Sequence, residues 1–249
     1  LFSSIHSIIY HSMRNNRKID QLRNIEIIPN YLPNPEGSCL IKCGNTHVIC
    51  SASLDRNLPR WLKYSDSGWV TAEYGMIPRS TTERMPREAA KGKQSGRTQE
   101  IQRLIGRSLR SIINLHELKD LQIIIDCDVI QADGGTRTAS ISGSFIALQL
   151  CVNNLLNKKI IKKNPINEYV AAISCGIVNG VPLLDLDFEE DQNAEVDANF
   201  VITNSGKLVE VQLTSEKKLC EEKSFDAMLQ LAKSGVSNII QKQKQILSV

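Results

Sequence analysis

A donor-rich turn, residues 131–140 with the sequence QADGGTRTAS, lies between the apolar run LQIIIDCDVI and a segment with helical periodicity. Adjacent glycines can direct successive backbone N–H groups at one point, and a helix start adds the positive end of its dipole. The hydroxyls of Thr136, Thr138 and Ser140 and the planar guanidinium of Arg137 add donors that suit a tetrahedral oxyanion. The pattern predicts a phosphate site. A glycine turn with a helix cap and an exposed arginine is the alternative.

A second arginine, Arg97, stands at the head of another predicted helix, within the segment GKQSGRT at residues 92–98. The start of a helix favours anions because its backbone N–H groups and dipole point outward there. Arg97 and Arg137 would hold one anion together if the fold brought their two helix starts side by side. Sequence alone leaves that convergence open.

An acid-rich segment, residues 185–197 with the sequence DLDFEEDQNAEVD, holds seven acidic side chains and no basic one. Four of the acids alternate, so an extended strand would place them on one face, and Asp197 follows after a short loop. The glycine that an EF-hand requires is missing. Mg²⁺ fits better, because it needs only one or two carboxylates in addition to substrate and water oxygens. A solvated acidic loop is the alternative. The alternating acids are Asp185, Asp187, Glu189 and Asp191.

Charge is distributed unevenly in a chain of ordinary composition. The 249 residues are 41% hydrophobic and 23% charged, and the net charge of +3 indicates no particular partner. Residues 79–97 nevertheless carry six Lys or Arg against two Glu, and the absence of an apolar period predicts a loop. That basic segment suits a nucleic-acid backbone, and its lack of aromatic side chains argues against base stacking. An anion site beside a cation site indicates phosphoryl transfer.

Hairpins dominate over regular strand–helix–strand alternation, and this order predicts an α+β fold. Turn signals for hairpins lie at Gly44–Asn45, at Asn179–Gly180 and at residues 204–206. Hairpin strands and a long helix recur in each half of the chain, which suggests two similar halves. The predicted strands cover 24–31, 37–53, 70–76 and 121–130, and further strands flank the two later turns. The predicted helices cover 141–157 and 222–246, and another begins at Thr98.

The seven cysteines include no CxxC pair, which favours buried reduced thiols. Zinc binding by Cys39, Cys43 and Cys50 with His47 is the alternative, but that segment alternates like a hairpin. No apolar run approaches the roughly 18 to 20 residues that span a membrane, so no membrane partner is expected. Residues 1–12 make a poor signal peptide, and they are interpreted as an N-terminal extension ahead of Met13.

Four long segments of the chain resemble the bacterial ribonuclease PH family. They are GWVTAEYGMIPRST (68–81), REAAKGKQSGRTQEIQRLIGRSLR (87–110), DCDVIQADGGTRTASISG (126–143) and GIVNGVPLLDLDFEEDQNAEVDANFVIT (176–203). The likeness covers nearly all of residues 14–246. It implies a ribonuclease PH-like fold over 13–249, with hairpin-rich mixed sheets packed against long helices and two similar halves in one compact unit.

The resemblance implies a phosphate-dependent 3′→5′ exoribonuclease, or tRNA nucleotidyltransferase, that trims the 3′ ends of transfer RNA precursors. Phosphate would attack the terminal phosphodiester, a nucleoside diphosphate would leave, and the reverse reaction would add nucleotides. Ribosomal RNA is a further expected substrate. The family also implies a cytoplasmic homohexamer built as a trimer of dimers.

Site residues follow from the family pattern, position by position. The phosphate-binding positions are Arg97, Gly135, Thr136 and Arg137. The acidic pair expected to be catalytic and to hold Mg²⁺, or Mn²⁺, is Asp191 and Asp197. The arginines that resemble RNA-guiding positions are Arg79, Arg84 and Arg87. A subunit interface is the alternative role for any of these three arginines.

Two rival functions belong to other classes. A silent RNA-binding ring subunit would be expected to lack members of the acidic or arginine set, whereas this chain has all of them. A Mg²⁺-dependent nucleotide kinase is disfavoured because the GxxxxGK[ST] loop is absent. Ser95 replaces a frequent glycine of the family, and the opening MRNNRK is atypical, but neither departure touches the expected catalytic set.

Overall fold

Two β-sheets and three long helices form the fold in a computed structural model that describes Arg14 and residues 17–248. The proposed extension, residues 1–12, lies outside the described residues. The first sheet has the strand order β1-β2-β3-β5-β4, and only β4 and β5 pair in parallel. The second has the order β7-β6-β8-β9 and is antiparallel throughout. The strands are β1 (Ile25–Pro29), β2 (Gly37–Cys43), β3 (Thr46–Asp55), β4 (Trp69–Met76), β5 (Gln122–Gln131), β6 (Val170–Val178), β7 (Val181–Leu184), β8 (Val196–Thr203) and β9 (Leu208–Ser215).

All three predicted hairpins are confirmed, and their turns explain why. Asn179 and Gly180 have φ values of 49° and 76°, the left-handed pair that a two-residue turn between twisted strands requires. In the turn between β2 and β3, Gly44 alone has a positive φ, 56°, which glycine adopts without strain. The hairpin between β2 and β3 places Cys39 opposite Cys50, in agreement with the hairpin interpretation of that cysteine-rich segment.

The three predicted helices are confirmed: the last begins at the predicted residue 222, and the other two begin earlier than their apolar periodicity indicates. The helices are α1 (Glu88–Lys91), α2 (Gly96–Arg110), α3 (Thr136–Asn157), α4 (Phe188–Asn193) and α5 (Glu222–Leu247), and two 3₁₀ turns cover Arg60–Leu62 and Leu115–Leu118. Ser95 caps α2 by accepting a hydrogen bond from the Thr98 N–H at 3.1 Å. α3 begins five residues before the predicted start because its first turn is polar, and a polar first turn contributes nothing to an apolar period.

Helix α3 forms the centre of the core. It packs on β2 and β3 of the first sheet and on β6 of the second, so one helix is shared by both halves. Among the described residues it is the one helix long and apolar enough to cross a membrane, and 78% of its apolar window is buried inside the protein. Its serines and a glutamine interrupt the run, which is why the sequence showed no apolar stretch of that length. The helix behaves as a core helix.

The predicted basic loop contains regular structure that its sequence did not indicate. The four residues of α1 lie within it and end at Gly92, whose φ is 71°. Glu88 holds the segment against the start of α2, because its carboxylate accepts from the Ser95 N–H at 3.1 Å and from the Thr98 hydroxyl at 2.8 Å. The loop is therefore attached to the same helix start that carries Arg97.

Candidate active site

A cavity of about 990 Å³ is lined by residues from both halves of the chain. Its lining includes the starts of α2 and α3, helix α4, and strands β8 and β9. Six residues that the sequence singled out contribute to it. They are Arg97, Gly135, Thr136, Arg137, Asp191 and Asp197.

The glycine turn before α3 has the backbone conformation that its sequence predicts. Gly134 and Gly135 have φ values of 71° and 64°, where side chains with a Cβ are strained. A Cβ on Gly134 would also lie 2.5 Å from the carbonyl carbon of Asp187. Only glycine therefore allows this turn to lie directly against the acid-rich segment.

One of the three predicted hydroxyl donors is placed for a ligand. Thr136 lines the cavity, and its Oγ1 accepts a hydrogen bond from the Tyr74 hydroxyl at 3.0 Å, which leaves the threonine proton free to donate. The Thr138 hydroxyl donates to the Gly135 carbonyl at 2.9 Å. The Ser140 hydroxyl is buried and donates to the Thr136 carbonyl at 2.8 Å. The expectation that Thr138 and Ser140 are anion donors is therefore wrong, because the helix backbone uses their protons.

The two arginines reach the same cavity from different helices. Arg97 is exposed in the first turn of α2, and Arg137 is half-buried in the first turn of α3. Arg137 Nη1 donates to Gln212 Oε1 at 3.0 Å and lies 3.7 Å from Glu100 Oε1, so its fork is oriented before any ligand binds. The two helix starts that sequence left unplaced therefore open into one cavity. The anion itself stays a prediction.

The two carboxylates influence each other. Burial raises the pKa of Asp197 to about 6, the negative charge of Asp191 contributes in the same direction, and the positive charge of Arg137 opposes them. Burial also raises the pKa of Asp191, while Arg137 and Arg97 lower it. Asp191 lies on α4, and Asp197 lies on β8 opposite Gly176 of β6 and Thr214 of β9. Two mutually repelling acids therefore lie within electrostatic range of two arginines.

Asp191 and Asp197 together suit a divalent cation that keeps most of its own water ligands. No group of three or more His, Cys, Asp or Glu in Arg14 and residues 17–248 is arranged to hold a metal ion. Mg²⁺ does not need such a group, because it binds through one or two carboxylates together with water and phosphate oxygens. A cation would also relieve the repulsion between Asp191 and Asp197. The donor set favours a cation that arrives with the phosphates over a closed structural site.

The acid-rich segment does not form the extended strand that would have placed its alternating acids on one face. Residues Phe188–Asn193 form α4, and Asp187 caps it by accepting from the Glu190 N–H at 2.9 Å. Asp185 and Glu190 are buried in ion pairs with arginines from the N-terminal segment. Three of the seven acids, Asp185, Asp187 and Glu190, are thus used to fold the segment, and Asp191 alone of the four alternating acids lines the cavity.

The three arginines expected to guide RNA lie beside the cavity. Arg79, Arg84 and Arg87 are exposed and outside its lining, whereas Thr81 and Met85 of the same loop are part of it. The structure therefore puts the loop at the rim and leaves its arginines facing solvent.

Polar residues of β9 line the cavity, although they were not among the site residues predicted from the sequence. Gln212 and Thr214 both belong to the lining. The signal was the alternation in LVEVQLTS, where Glu210, Gln212 and Thr214 point to one face. Sequence alone does not reveal that this face meets the start of α3.

Two family models match the chain. The 3′ exoribonuclease family, domain 1, matches residues 21–152, and domain 2 of the same family matches residues 168–235. Together these matches cover most of the chain. The chain belongs to the RNase PH family of 3′ exoribonucleases. Its activity is phosphorolytic 3′→5′ exoribonuclease action in transfer RNA processing.

Similar proteins agree with membership of the RNase PH family. Ribonuclease PH of Neisseria meningitidis serogroup C is 56% identical over 236 residues, and the match covers 95% of this chain and 98% of that protein. Ribonuclease PH of Neisseria gonorrhoeae is 55% identical over 237 residues, with the same shares of each chain covered.

Solved structures share the RNase PH fold. Rice Rrp46 has a TM-score of 0.75 at 19% identity, with 94% of this chain and 99% of that chain covered. A chain of the Archaeoglobus fulgidus exosome with RNA bound to the active site has a TM-score of 0.76 at 21% identity, with 95% and 96% covered. The α+β class with two similar halves is confirmed.

Proposed function

We propose that this phosphorolytic exoribonuclease binds inorganic phosphate and the 3′ end of RNA in the 990 Å³ cavity. The observation that carries the proposal is the meeting of two arginines, a threonine hydroxyl and two carboxylates in one space. The arginines and the hydroxyl suit the attacking phosphate. The carboxylates suit a divalent metal beside the phosphodiester.

Arg97, Arg137 and the Thr136 hydroxyl hold the phosphate so that one of its oxygens faces the last phosphodiester. That oxygen forms a bond to the terminal phosphorus, and the bond from this phosphorus to the 3′ oxygen of the preceding nucleotide breaks. The phosphate proton ends on the departing 3′ oxygen, so the products are a nucleoside diphosphate and RNA shortened by one nucleotide. Holding both reactants in one geometry supplies much of the rate.

Asp191 and Asp197 would hold Mg²⁺ or Mn²⁺, which would supply charge neutralisation at the phosphoryl oxygens. Because Gln212 and Glu100 already orient Arg137, little reorganisation accompanies charge development at the transferred phosphorus.

The decisive experiment uses a 3′-extended transfer RNA precursor and Mg²⁺, with and without inorganic phosphate, and identifies the released nucleotides. We expect nucleoside diphosphates only when phosphate is present. Nucleoside monophosphates released without phosphate would mean hydrolysis, and the phosphate assignment would be wrong. RNA binding without any release would instead indicate a silent ring subunit.

The rim loop, defined as residues 79–87, is proposed to guide the RNA backbone. Replacing Arg79, Arg84 and Arg87 together with Ala should weaken RNA binding, because each exposed guanidinium neutralises phosphate charge. The slope of log K against log salt should become shallower by about 0.7 for each phosphate of a single strand that the variant no longer neutralises. Filter binding across a salt series measures this slope.

The matched control removes three exposed lysines far from the rim loop in sequence, namely Lys158, Lys162 and Lys233. Its net-charge change is the same, so a nonspecific charge effect would appear equally in both triple variants. An equal change of slope would refute the guiding role and would favour the subunit-interface alternative for the arginines.

Assembly and cellular location are proposed as well. We place the chain in a cytoplasmic hexameric ring, and two features support assembly. One similar solved structure is an archaeal exosome core, with a TM-score of 0.72. Trp61 and Tyr64 are 66% and 95% exposed in the single chain, which suits a subunit contact. Because α3 packs on both sheets, residues 13–249 are proposed to fold as one unit.

A further inference from the structure

Arg23 lies between the two halves of the molecule, just before β1, and its side chain is only 8% exposed. Its backbone N–H donates to Asp185 Oδ2 at 2.7 Å, and its Nη2 donates to Asp185 Oδ1 at 2.7 Å. Both oxygens of a buried carboxylate are therefore used by one residue. Arg23 falls in the segment matched by domain 1 of the family, and Asp185 falls in the segment matched by domain 2.

The other side of the Arg23 guanidinium contacts the glycine turn. Nη1 donates to the carbonyl oxygen of Asp133, and both terminal nitrogens lie 3.5 Å from the carbonyl oxygen of Gly134. A Cβ on Gly135 would lie 2.9 Å from Arg23 Nη2, which shows how closely the guanidinium approaches the turn. One side chain thus connects the turn before α3 with the segment before α4.

Further hydrogen bonds hold the same turn. The Thr46 hydroxyl donates to the Gly134 carbonyl at 2.6 Å and accepts from the Asp133 N–H at 2.9 Å. Across the halves, the Phe188 N–H at the start of α4 donates to Asp133 Oδ1 at 3.3 Å. The turn is therefore held by hydrogen bonds from β3 and from the acid-rich segment.

We propose that Arg23 and Asp185 act as a positioning pair that holds the phosphate-binding turn at a set distance from the helix carrying Asp191. The proposal rests on the function proposed above. Asp185 lies two residues before the cap of α4, and the turn leads directly into Thr136 and Arg137. A shift at this pair would move the phosphate donors relative to the carboxylates.

Arginine is needed here because of its shape. The side chain binds a carboxylate and two carbonyl oxygens at once, which requires several donors in a fixed plane. A lysine would keep the charge but could not reach all three acceptors with the same orientation. Arg23→Lys therefore keeps the positive charge of the side chain and removes its planar set of donors.

Arg17 provides a matched control. Its side chain is 10% exposed and contacts the same acid-rich segment: Nη1 donates to the Asp185 carbonyl at 2.7 Å and lies 3.6 Å from Asp185 Oδ2, and Nη2 donates to Glu190 Oε2 at 2.9 Å. Among the described residues, none of its hydrogen bonds or ion pairs reaches the glycine turn. Arg17→Ala should lower stability without moving the phosphate donors.

The test measures KM for inorganic phosphate, kcat, RNA affinity and Tm for Arg23→Lys, Asp185→Asn and Arg17→Ala. We expect the first two variants to raise KM for phosphate by about 10- to 100-fold, by analogy with the loss that follows when a hydrogen-bond partner of a metal ligand is removed. RNA affinity should stay within about twofold, and Arg17→Ala should lower Tm with an unchanged KM for phosphate. In Arg23→Ala, low millimolar guanidinium should restore part of the phosphate affinity.

Three outcomes would overturn the pair. They are an unchanged KM for phosphate in Arg23→Lys, an equal rise of that KM in Arg17→Ala, and a loss of phosphate affinity that follows only the fall in Tm across the variants. If wild-type release does not depend on phosphate, the proposed function fails, and the pair is then judged from phosphate binding by calorimetry. Equal phosphate affinity in wild type and Arg23→Lys would refute the pair in that assay.

Discussion

Asp197→Asn should abolish turnover, by about 10³-fold or more, while making the metal-free protein more stable. Turnover falls because the variant loses a carboxylate proposed to hold the cation. Stability rises because the Asp197 carboxylate is unfavourable in the folded chain, where burial and the charge of Asp191 raise its pKa to about 6. An uncharged amide removes that repulsion and keeps nearly the same shape.

The direction of the stability change follows from proton linkage. The folded pKa of Asp197, about 6, lies above the ordinary value of 3.8. The folded state therefore loses stability as pH rises from the ordinary value through 6, and the whole penalty is present at pH 7.5. Asp197→Asn should recover about 1 to 3 kcal/mol of unfolding free energy there. Below the ordinary pKa the difference should vanish, because the wild-type side chain is then neutral in both states.

Urea unfolding at pH 7.5 without metal measures the stability gain, and a precursor-trimming assay measures turnover. Adding Mg²⁺ should raise the Tm of wild type but not that of the variant, which is a test of metal binding independent of activity. Glu189→Gln is the control, because Glu189 lies on α4 but outside the cavity lining, and the substitution changes the net charge by the same amount. Near-normal turnover in both Asp191→Asn and Asp197→Asn would refute the metal role.

Arg97→Ala should raise KM for inorganic phosphate by about 100-fold, because a charge-assisted hydrogen bond to a phosphate oxygen contributes about 1.5 to 3 kcal/mol. Folding should be unaffected, since Arg97 is exposed in the first turn of α2. Arg137→Ala should have at least as large an effect on KM. It should also lower Tm, because Arg137 contacts Gln212 and Glu100.

Initial rates over a phosphate series give KM, and RNA affinity is measured separately. Arg103→Ala is the control, because Arg103 is an exposed arginine of the same helix that does not line the cavity. A phosphate KM in Arg97→Ala equal to that in Arg103→Ala would remove Arg97 from the site.

Local patterns determined the hairpins and the three long helices of this protein. Asn179–Gly180 produced a hairpin because both residues accept a positive φ, and the apolar period of α2 buried Ile101, Leu104, Ile105 and Leu109. The family likeness also pointed to the positions that line the cavity. The information for each of these elements is carried by residues within about one element length of each other.

Tertiary structure decided how the acids and hydroxyls are used. Glu190 is paired with Arg14, which is 176 residues away in sequence, and Asp185 with Arg23, which is 162 residues away. Local sequence patterns do not indicate partners that are so distant in the chain. The acid-rich segment alternates like a strand, but with these partners it folds into a capped helix. The same holds for Ser140, whose proton is taken by the backbone once α3 begins at Thr136. Which polar groups remain free for a substrate depends on the partners that the fold brings to them, because a buried group without a partner is costly.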